Sequence, residues 1–427
     1  MADTIFALAS GAPPAAIAIV RISGPSALAA AAMLAGDLPE PRRAGVRSLV
    51  HPLTGELLDK ALVLIFPGPA TATGEDLVEL HLHGGRAVVA AVQAALGGIE
   101  GLRGAEPGEF SRRALMHGRI DLAEAEGLGD LLMAQTERQR RAAMASVEGR
   151  LSRSVAGWAT ELLMISAQIE ASLDFSDEDD VGEDVDPKIA SAIAGLATSI
   201  EAALAEPPVE RLRDGVRVVL AGPRNAGKST LLNALVGREA AIVSPIAGTT
   251  RDVIEVPVVR DGIAYVFADT AGLTESTDDV VEAMGISRAR ETAAAADIVL
   301  WLDDDPPVDA RAAVWLYPRA DERTACGDAV RLAVSAVTGY GLDSLWAALA
   351  QRALALLPRE DIIAFNARQR SCCVECHAAL VAARASVDPL LTAEHLRLAR
   401  RALDRLLGRV DVEAMLDALF GRFCIGK

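Results

Sequence analysis

The first part of the chain shows a regular alternation of apolar and polar residues. Residues 76–83 place an apolar side chain at every second position and polar side chains between them, which predicts a strand with one buried and one solvated face. Two β-branched apolar runs, at residues 16–22 and 61–66, also predict strands, and Pro67 ends the second. About the first 112 residues are therefore expected to be rich in β-structure, with short helices.

From about residue 111 to residue 207 the pattern becomes helical, with abundant Ala, Leu, Glu and Arg and no proline before Pro187. An acidic run at residues 174–186 lacks the spacing of an EF-hand calcium loop, so we interpret it as a solvated loop between helices. The tail from about residue 361 is helical again. One face of this helix is predicted to be an apolar stripe of Leu396, Ala399, Leu403 and Leu406. Another face is predicted to be a solvated row of Arg397, Arg401 and Arg405.

Between these helical regions, residues 216–233 combine a short apolar strand, a glycine-rich loop and a helix-forming run. The loop from Gly222 to Ser229 has the sequence Gly-Pro-Arg-Asn-Ala-Gly-Lys-Ser, the spacing of a P-loop. Such a loop points backbone N–H groups at phosphate from a helix N-terminus, while Lys228 reaches the β- and γ-phosphates and Ser229 ligates Mg²⁺. A chance glycine-rich turn is the alternative, but the flanking strand and helix favour nucleotide binding.

Two further signatures follow in the order expected for a GTPase. Residues 244–252 form a predicted switch loop that contains a Mg²⁺-binding threonine. A strand at residues 263–268 then delivers Asp-Thr-Ala-Gly at 269–272, which places a carboxylate beside the P-loop. Alternating strands and helices up to residue 358 predict a parallel sheet covered on both faces.

Recognition of the base departs from the usual Asn-Lys-x-Asp signature of guanine sites. Asp321 is retained and can accept both guanine N–H donors, so guanine is favoured over adenine. Pro318 replaces the amide side chain, which predicts weakened affinity, and Arg319 can lay its stem over the base. The predicted nucleotide-binding residues are Asn225, Ala226, Gly227, Lys228, Ser229, Thr230, Ser244, Pro245, Ile246, Ala247, Gly248, Thr249, Thr250, Asp269, Thr270, Ala271, Gly272, Arg319, Asp321, Ser335 and Ala336.

The catalytic group that orients water is not evident. Leu273 stands where Ras-like enzymes have a water-orienting glutamine. Glu282, in the same segment, is an available carboxylate, although from the sequence alone it is equally a solvated helix residue.

Length and composition limit the class of protein. A chain of 427 residues predicts two or three domains, and a net charge of −17 argues against indiscriminate nucleic-acid binding. No basic n-region of a signal peptide and no apolar run of membrane-spanning length is present, and five cysteines do not suggest a secreted disulfide framework. We therefore expect a cytoplasmic protein that does not enter a membrane.

Two motifs have alternative interpretations. His81 and His83 are two candidate metal ligands, but a half-buried strand with a wet face is the stronger interpretation. Cys373 to His377 formally match a c-type haem attachment motif, whereas the helical context favours ordinary helix residues or an adventitious soft-metal site. The role of the cluster formed by Cys372, Cys373 and Cys376 stays open.

With these residues identified, the chain resembles the MnmE (TrmE) family of tRNA modification GTPases over nearly its whole length. The C-terminal Phe-Cys-Ile-Gly-Lys at 423–427 resembles the family's terminal signature. The segments 21–24, 74–76, 83–85 and 107–111 are similar to its N-terminal domain. Few GTPase families end a helical domain on Cys-Ile-Gly-Lys, so the match is specific.

The resemblance implies an α/β P-loop GTPase domain inserted in an all-α helical domain and preceded by an α+β folate-binding domain. It divides the chain into an N-terminal folate-binding and dimerisation domain (1–115), a first helical part (116–212), the GTPase domain (213–358) and a second helical part with the Cys-Ile-Gly-Lys tail (359–427). The protein would be a homodimer whose GTP hydrolysis drives conformational change.

The resemblance also implies partners and cofactors. With the flavoprotein MnmG, the chain would use a 5-formyl- or methylene-tetrahydrofolate to install an aminomethyl-type group on the wobble uridine of certain tRNAs. Arg21, Glu79, Arg119 and Lys427 would contact folate, with arginine at 119 where the family usually has lysine. The role of Cys424, which matches the family's C-terminal cysteine, is not settled.

In the GTPase domain the family uses K⁺ where other GTPases use an arginine finger. Ser229 and Thr250 would hold Mg²⁺, Glu282 and Lys228 would be catalytic, and the K⁺ ligands would be Asn225, Ser244, Ile246 and Thr249. A second hypothesis is a GTP-switched ribosome-assembly factor that binds RNA and performs no one-carbon chemistry. The folate-type N-terminal region and the tail favour the tRNA-modifying enzyme.

Overall fold

The computed structural model describes residues 3–174, 187–223, 225–237, 255–269, 296–307, 313–323, 330–359, 363–410, 413–421, 423 and 426. The strands are β1 (Thr4–Leu8), β2 (Ile17–Ser23), β3 (Gly45–Val50), β4 (Leu57–Phe66), β5 (Leu77–His83), β6 (Leu102–Gly104), β7 (Val216–Ala221), β8 (Glu255–Arg260), β9 (Ile263–Asp269), β10 (Ile298–Trp301), β11 (Ala313–Pro318) and β12 (Leu332–Val334). The helices are α1 (Ala27–Ala35), α2 (Arg86–Gly97), α3 (Glu109–Met116), α4 (Leu122–Met133), α5 (Glu137–Val147), α6 (Arg150–Asp174), α7 (Pro187–Leu204), α8 (Glu210–Arg213), α9 (Lys228–Gly237), α10 (Leu342–Leu356), α11 (Ala367–Ala385), α12 (Pro389–Leu406) and α13 (Glu413–Phe420).

The chain divides into two compact units. The first comprises Met1–Gly129, Ser146–Ser152 and Asp404–Lys427, and the second comprises Asp130–Ala145 and Arg153–Leu403. Strands β1 to β6 lie before residue 112 and helices α3 to α7 lie between residues 109 and 204, in the predicted order, and the predicted fold class is confirmed. The domain boundaries at residues 115, 212 and 358 stay predictions.

The first unit is built on a sheet with strand order β3-β4-β5-β2-β1-β6. β1 and β6 are parallel, and the other neighbouring strands are antiparallel. Along β5, Val78, Leu80 and Leu82 are buried while the polar residues between them are half-buried or exposed, so the predicted alternation is confirmed. The buried face packs in one core with residues of α1 and α2.

The C-terminal segment belongs to this first unit. Phe420 and Phe423 pack in one apolar cluster with Leu122, and the two phenyl centroids lie 5.5 Å apart. Farther along, a Cβ placed on Gly426 would meet the backbone carbonyl oxygen of Leu8 at 2.0 Å. The penultimate residue therefore lies in close backbone contact with the end of β1.

The second unit contains a sheet of order β12-β11-β10-β7-β9-β8, parallel except for the antiparallel β8. β7 is flanked by β10 and β9, and Val218 and Leu220 are fully buried, as expected for a strand covered on both faces. Trp346 of α10 packs edge-on against Phe267 of β9, with ring centroids 5.8 Å apart. These strands and α9 confirm the α/β segment predicted around the P-loop.

Helices before and after the α/β segment join within the second unit. α7 packs against α11, and the Val209 N–H donates to the Phe365 carbonyl at 3.1 Å. Asn366 caps α11, because its side chain accepts the Gln369 N–H at 2.8 Å. The α/β segment is thus an insertion in a helical fold, as the resemblance implied.

The remaining helical predictions have mixed outcomes. The apolar stripe of α12 is buried, and Arg397 and Arg401 are exposed as predicted, whereas Arg405 is only partly exposed. Residues 175–186 of the acidic run lie outside the described residues.

Burial raises the pKa of Cys373 and Cys376 to about 12, so both are neutral thiols inside α11. This disfavours their attachment to a haem.

In the part of the chain that the structure describes, none of the helices combines the length and apolarity needed to cross a membrane.

Gly341, just before α10, offers a test of the second unit's packing. Its φ is +74°, and an added Cβ would lie 2.0 Å from the Ala333 carbonyl oxygen, whereas Gly262 has φ +76° with nothing within 4 Å of an added Cβ. We expect Gly262→Ala to cost about 1 kcal/mol of unfolding free energy from left-handed backbone strain, and Gly341→Ala to cost roughly 2 kcal/mol more. Urea unfolding followed by tryptophan fluorescence measures both, and equal losses would contradict the predicted clash.

Candidate functional site

The P-loop segment connects β7 to α9, which begins at Lys228. Asn225 and Gly227 both have positive φ, at +59° and +94°, so the loop turns its backbone sharply just before the helix. Such a turn at a helix N-terminus directs N–H groups toward a bound anion. Arg224 lies outside the described residues.

Lys228 is 9% exposed, and its ammonium group faces the loop. Its Nζ donates to the carbonyl oxygens of Gly222, at 2.9 Å, and Pro223, at 2.8 Å. These two acceptors offset the cost of burying the charge and hold it over the loop. The loop therefore presents a fixed positive charge where phosphate would bind.

Two segments that the sequence predicts to contact the base, residues 319–321 and 335–336, lie beside this loop and are called the base-side loops. Pro318 ends β11 in register with Val334 of β12, and the Ala320 N–H donates to the Val334 carbonyl at 3.1 Å. The Arg319 guanidinium donates through Nη2 to the carbonyl oxygen of Asn225. The structure thus brings the P-loop, residues 319–321 and the start of the 335–336 loop together.

The loop after β12 is ordered by its own hydrogen bonds. Ser335 is fully buried, its N–H donates to the Tyr340 carbonyl at 2.9 Å, and its Oγ accepts the Thr338 N–H at 3.1 Å. Asp321, by contrast, is exposed. A carboxylate in this place can accept two N–H donors from a base edge.

Several predicted site residues lie outside the described residues. They are Ser244, Pro245, Ile246, Ala247, Gly248, Thr249, Thr250, Thr270, Ala271, Gly272, Leu273, Glu282, Cys424 and Lys427. The backbone of Asp269 is described at the end of β9, where it is in register with Leu220 of β7. The end of β9 therefore lies beside the P-loop strand, and the role of Asp269 at the phosphates stays a prediction.

A second group of predicted residues lies in the first unit. Arg21 of β2 and Glu79 of β5 are cross-strand neighbours, and Nη2 of the arginine lies 2.7 Å from Oε1 of the glutamate. Burial raises the pKa of the Glu79 carboxyl, but the hydrogen bond and charge of Arg21 outweigh it and hold that pKa below its usual value. Glu79 is therefore ionised at neutral pH and paired with Arg21.

The two histidines of β5 have different partners. His81 Nε2 lies 3.3 Å from Oε2 of Glu79, whereas His83 Nδ1 lies 2.7 Å from Oδ1 of Asp59. Within the described ranges no cluster of three or more histidine, cysteine or carboxylate side chains has the geometry of a metal site.

Arg119 is exposed and lies near the loop that precedes β5. Its Nε donates to the Thr71 carbonyl at 3.0 Å, and Thr73 in the same loop bonds through Oγ1 to Ser23 Oγ at 2.7 Å. Ser23 is two residues from Arg21 on β2, so both side chains lie on one side of that strand. The loop at 71–75 therefore connects Arg119 to the strand that carries Arg21.

An ion-pair network in the first unit was not anticipated from the sequence. Arg103 bonds Asp3 and Glu109, each at 2.6 Å, and Arg113 lies 3.1 Å from Glu75 and 3.0 Å from Glu109. Burial raises the pKa of Glu109, but its bonds to Arg103 and Arg113 keep that pKa below its usual value. Only the Glu109–Arg113 pair, spaced i,i+4 on α3, left a signal in the sequence.

Comparison with known proteins gives a consistent result. A family model described as "MnmE helical domain" matches residues 122–424, and one described as "GTP-binding protein TrmE N-terminus" matches residues 4–119. The chain is 58% identical over 427 residues to the tRNA modification GTPase MnmE of Rhizorhabdus wittichii, covering 100% of this chain and 97% of the relative. It is 56% identical over 432 residues to the protein of the same name from Erythrobacter litoralis, covering 100% of both.

The Arg21–Glu79 pair makes stability depend on pH. The lowered pKa of Glu79 stabilises the folded state above the unfolded value of about 4.5, and this contribution is lost as pH falls through the folded value. In Arg21→Met the burial cost remains while the pairing is lost, so we expect the Glu79 pKa to rise and stability at neutral pH to fall by about 1–2 kcal/mol. Hydrogen exchange of the β2 and β5 amides, measured at neutral pH and below about pH 4.5, reports this change.

Arg43→Met is the matched control, because Arg43 forms an ion pair with Glu40 in which both side chains are more than 70% exposed. It should leave exchange unchanged. Equal exchange rates in wild type and Arg21→Met at neutral pH would contradict the stabilising role of the pair.

Proposed function

The chain belongs to the MnmE family of tRNA modification GTPases, and we propose that it acts with the flavoprotein MnmG to modify the wobble uridine of certain tRNAs. The modification would be of the aminomethyl type and would draw its carbon from a tetrahydrofolate. GTP hydrolysis would drive a conformational change of a homodimer in the cytoplasm. The observation that carries the nucleotide part of this proposal is the position of the Lys228 ammonium over the P-loop.

The P-loop geometry fits a nucleoside triphosphate bound with Mg²⁺. Lys228 is held by two carbonyl oxygens of the loop, within reach of the space in front of the helix N-terminus. A phosphate oxygen is a stronger acceptor than a carbonyl, so a bound triphosphate would draw the ammonium toward it. Ser229 in the first turn of α9 and Thr250 would hold Mg²⁺, which supplies charge neutralisation on the phosphates when bound.

The K⁺ assignment depends on oxygen donors beside the phosphates. Asn225 is exposed and has φ +59°, a backbone conformation that asparagine tolerates better than most residues. Its side-chain oxygen, with Ser244, Ile246 and Thr249, would form the cradle. Glu282 would orient the attacking water in place of the missing glutamine, and Lys228 would stabilise charge on the transferred phosphoryl group.

The folate assignment depends on the polar surface around β2 and β5. Arg21 and Glu79 form a partly exposed pair, Arg119 lies by the adjoining loop, and Gly426 contacts the end of β1. β1 pairs with β2, with Leu8 opposite Val20, so the C-terminal tail approaches the strand that carries Arg21. This arrangement would allow Lys427 to reach a carboxylate of a 5-formyl- or methylene-tetrahydrofolate bound there.

We expect GTP turnover to be at least about tenfold faster in K⁺ than in Na⁺, because a bridging cation gives charge relief of the kind an arginine finger provides. Asn225→Gly should abolish this difference, since glycine accepts the positive φ but removes the side-chain oxygen. Turnover at constant ionic strength in each salt is the measurement, and GTP binding to Asn225→Gly is the control for an intact loop. Equal wild-type rates in K⁺ and Na⁺ would refute the cradle.

Purified full-length protein should bind 5-formyl-tetrahydrofolate in a calorimetric titration. Arg119→Met should weaken binding about tenfold or more through loss of a charged hydrogen bond, while Arg119→Lys should retain most of it. Lys228→Ala serves as a control, because a P-loop change should leave folate binding unaffected. Absence of detectable binding by the wild type would remove the one-carbon part of the proposal.

A further inference from the structure

The base-side loops depart from the usual guanine signature at Pro318. Guanine presents two donor groups, N1–H and the N2 amine, and two acceptors, O6 and N7. An asparagine at this position would offer a side-chain N–H donor to N7. Proline has neither a side-chain donor nor a backbone N–H.

Other described residues can serve the remaining groups of the base. The exposed Asp321 carboxylate can accept from N1–H and from the N2 amine. The Ala336 N–H makes no hydrogen bond within the part of the chain that the structure describes, and Ser335 before it is fixed by bonds to Tyr340 and Thr338. This N–H can donate to O6. The Watson–Crick edge of guanine therefore has partners on both sides.

Arg319 does not substitute for the missing amide. Its Nη2 donates to the Asn225 carbonyl, and its Nη1 lies 3.8 Å from a carboxylate oxygen of Glu322. The guanidinium is thus directed at the P-loop and at Glu322, three residues farther along the same loop. Its φ of +55° is uncommon for a non-glycine residue, so the contact with the P-loop is kept despite backbone strain.

We propose that this chain recognises guanine through the Watson–Crick edge alone and makes no contact to N7, with Arg319 tying the base-side loop to the P-loop. Asp321 and the Ala336 N–H are then the specificity determinants. The inference rests on the proposed GTP binding and adds how the base is selected.

The test is equilibrium competition of GTP and 7-deaza-GTP against a fluorescent guanine nucleotide on the full-length protein. In 7-deaza-GTP a C–H group replaces N7 and the Watson–Crick edge is unchanged. We expect the two nucleotides to bind the wild type within about twofold of each other. A wild-type preference for GTP of roughly threefold to tenfold, the value of one neutral hydrogen bond, would overturn the inference.

Pro318→Asn should create a threefold to tenfold preference for GTP over 7-deaza-GTP. Pro318→Ala is the matched control, because it removes the ring without adding an amide and should keep the ratio near one. Asp321→Asn should move the preference from GTP to XTP, and an unchanged preference would overturn the assignment of the base edge. If GTP itself fails to displace the fluorescent nucleotide, the proposed function fails. If GTP binds but 7-deaza-GTP binds more weakly, only the inference about N7 fails.

Discussion

The hydrogen bonds from Lys228 to the two loop carbonyls are the interaction on which the candidate site depends. A lysine residue that is 9% exposed needs acceptors near its ammonium group, and the carbonyls of Gly222 and Pro223 supply them. The loop that carries those carbonyls turns through positive φ at Gly222, Asn225 and Gly227. The same backbone turn therefore determines both the shape of the loop and the position of the lysine charge. Both are set by the placement of glycine and asparagine between a buried strand and a helix.

The α/β segment is joined to the helices of the second unit by hydrogen bonds at the point where it enters the sheet. The Gln139 side chain of α5 donates to the carbonyls of Leu212 and Arg213, both at 3.0 Å, just before β7 begins. Asp297, just before β10, accepts the Arg211 side chain at 2.6 Å and the Arg217 N–H at 3.0 Å. The segment that enters the sheet is thus bonded both to the helical part and to the strand beside the P-loop. A displacement of either part would strain these shared bonds.

Periodic features were predictable because they depend on neighbours in the sequence. The alternation of β5, the buried stripe of α12 and the strand-loop-helix order of the P-loop all follow from residues within a few positions of each other. The bond from Arg319 to the Asn225 carbonyl joins residues 94 positions apart, and the pair of Arg103 with Asp3 joins residues 100 apart. No periodicity encodes such pairs, because they arise only when the sheets are assembled. The sequence likewise showed that Pro318 lacks an amide, but not where the Arg319 guanidinium would point.

The relative strengths of hydrogen bonds explain why the proposed guanine site can function without an amide at position 318. Bonds to a charged group contribute about 1.5–3 kcal/mol each, whereas a neutral amide bond contributes about 0.5–1.5 kcal/mol. In the proposed site, Asp321 would supply the charged kind to the base and Lys228 would supply it to the phosphates. The Arg319 guanidinium, at the next position, joins the base-side loop to the P-loop by donating to the Asn225 carbonyl. In the proposed site the missing contact would then be the weakest of the base contacts, and the geometry that supports the stronger ones would be kept.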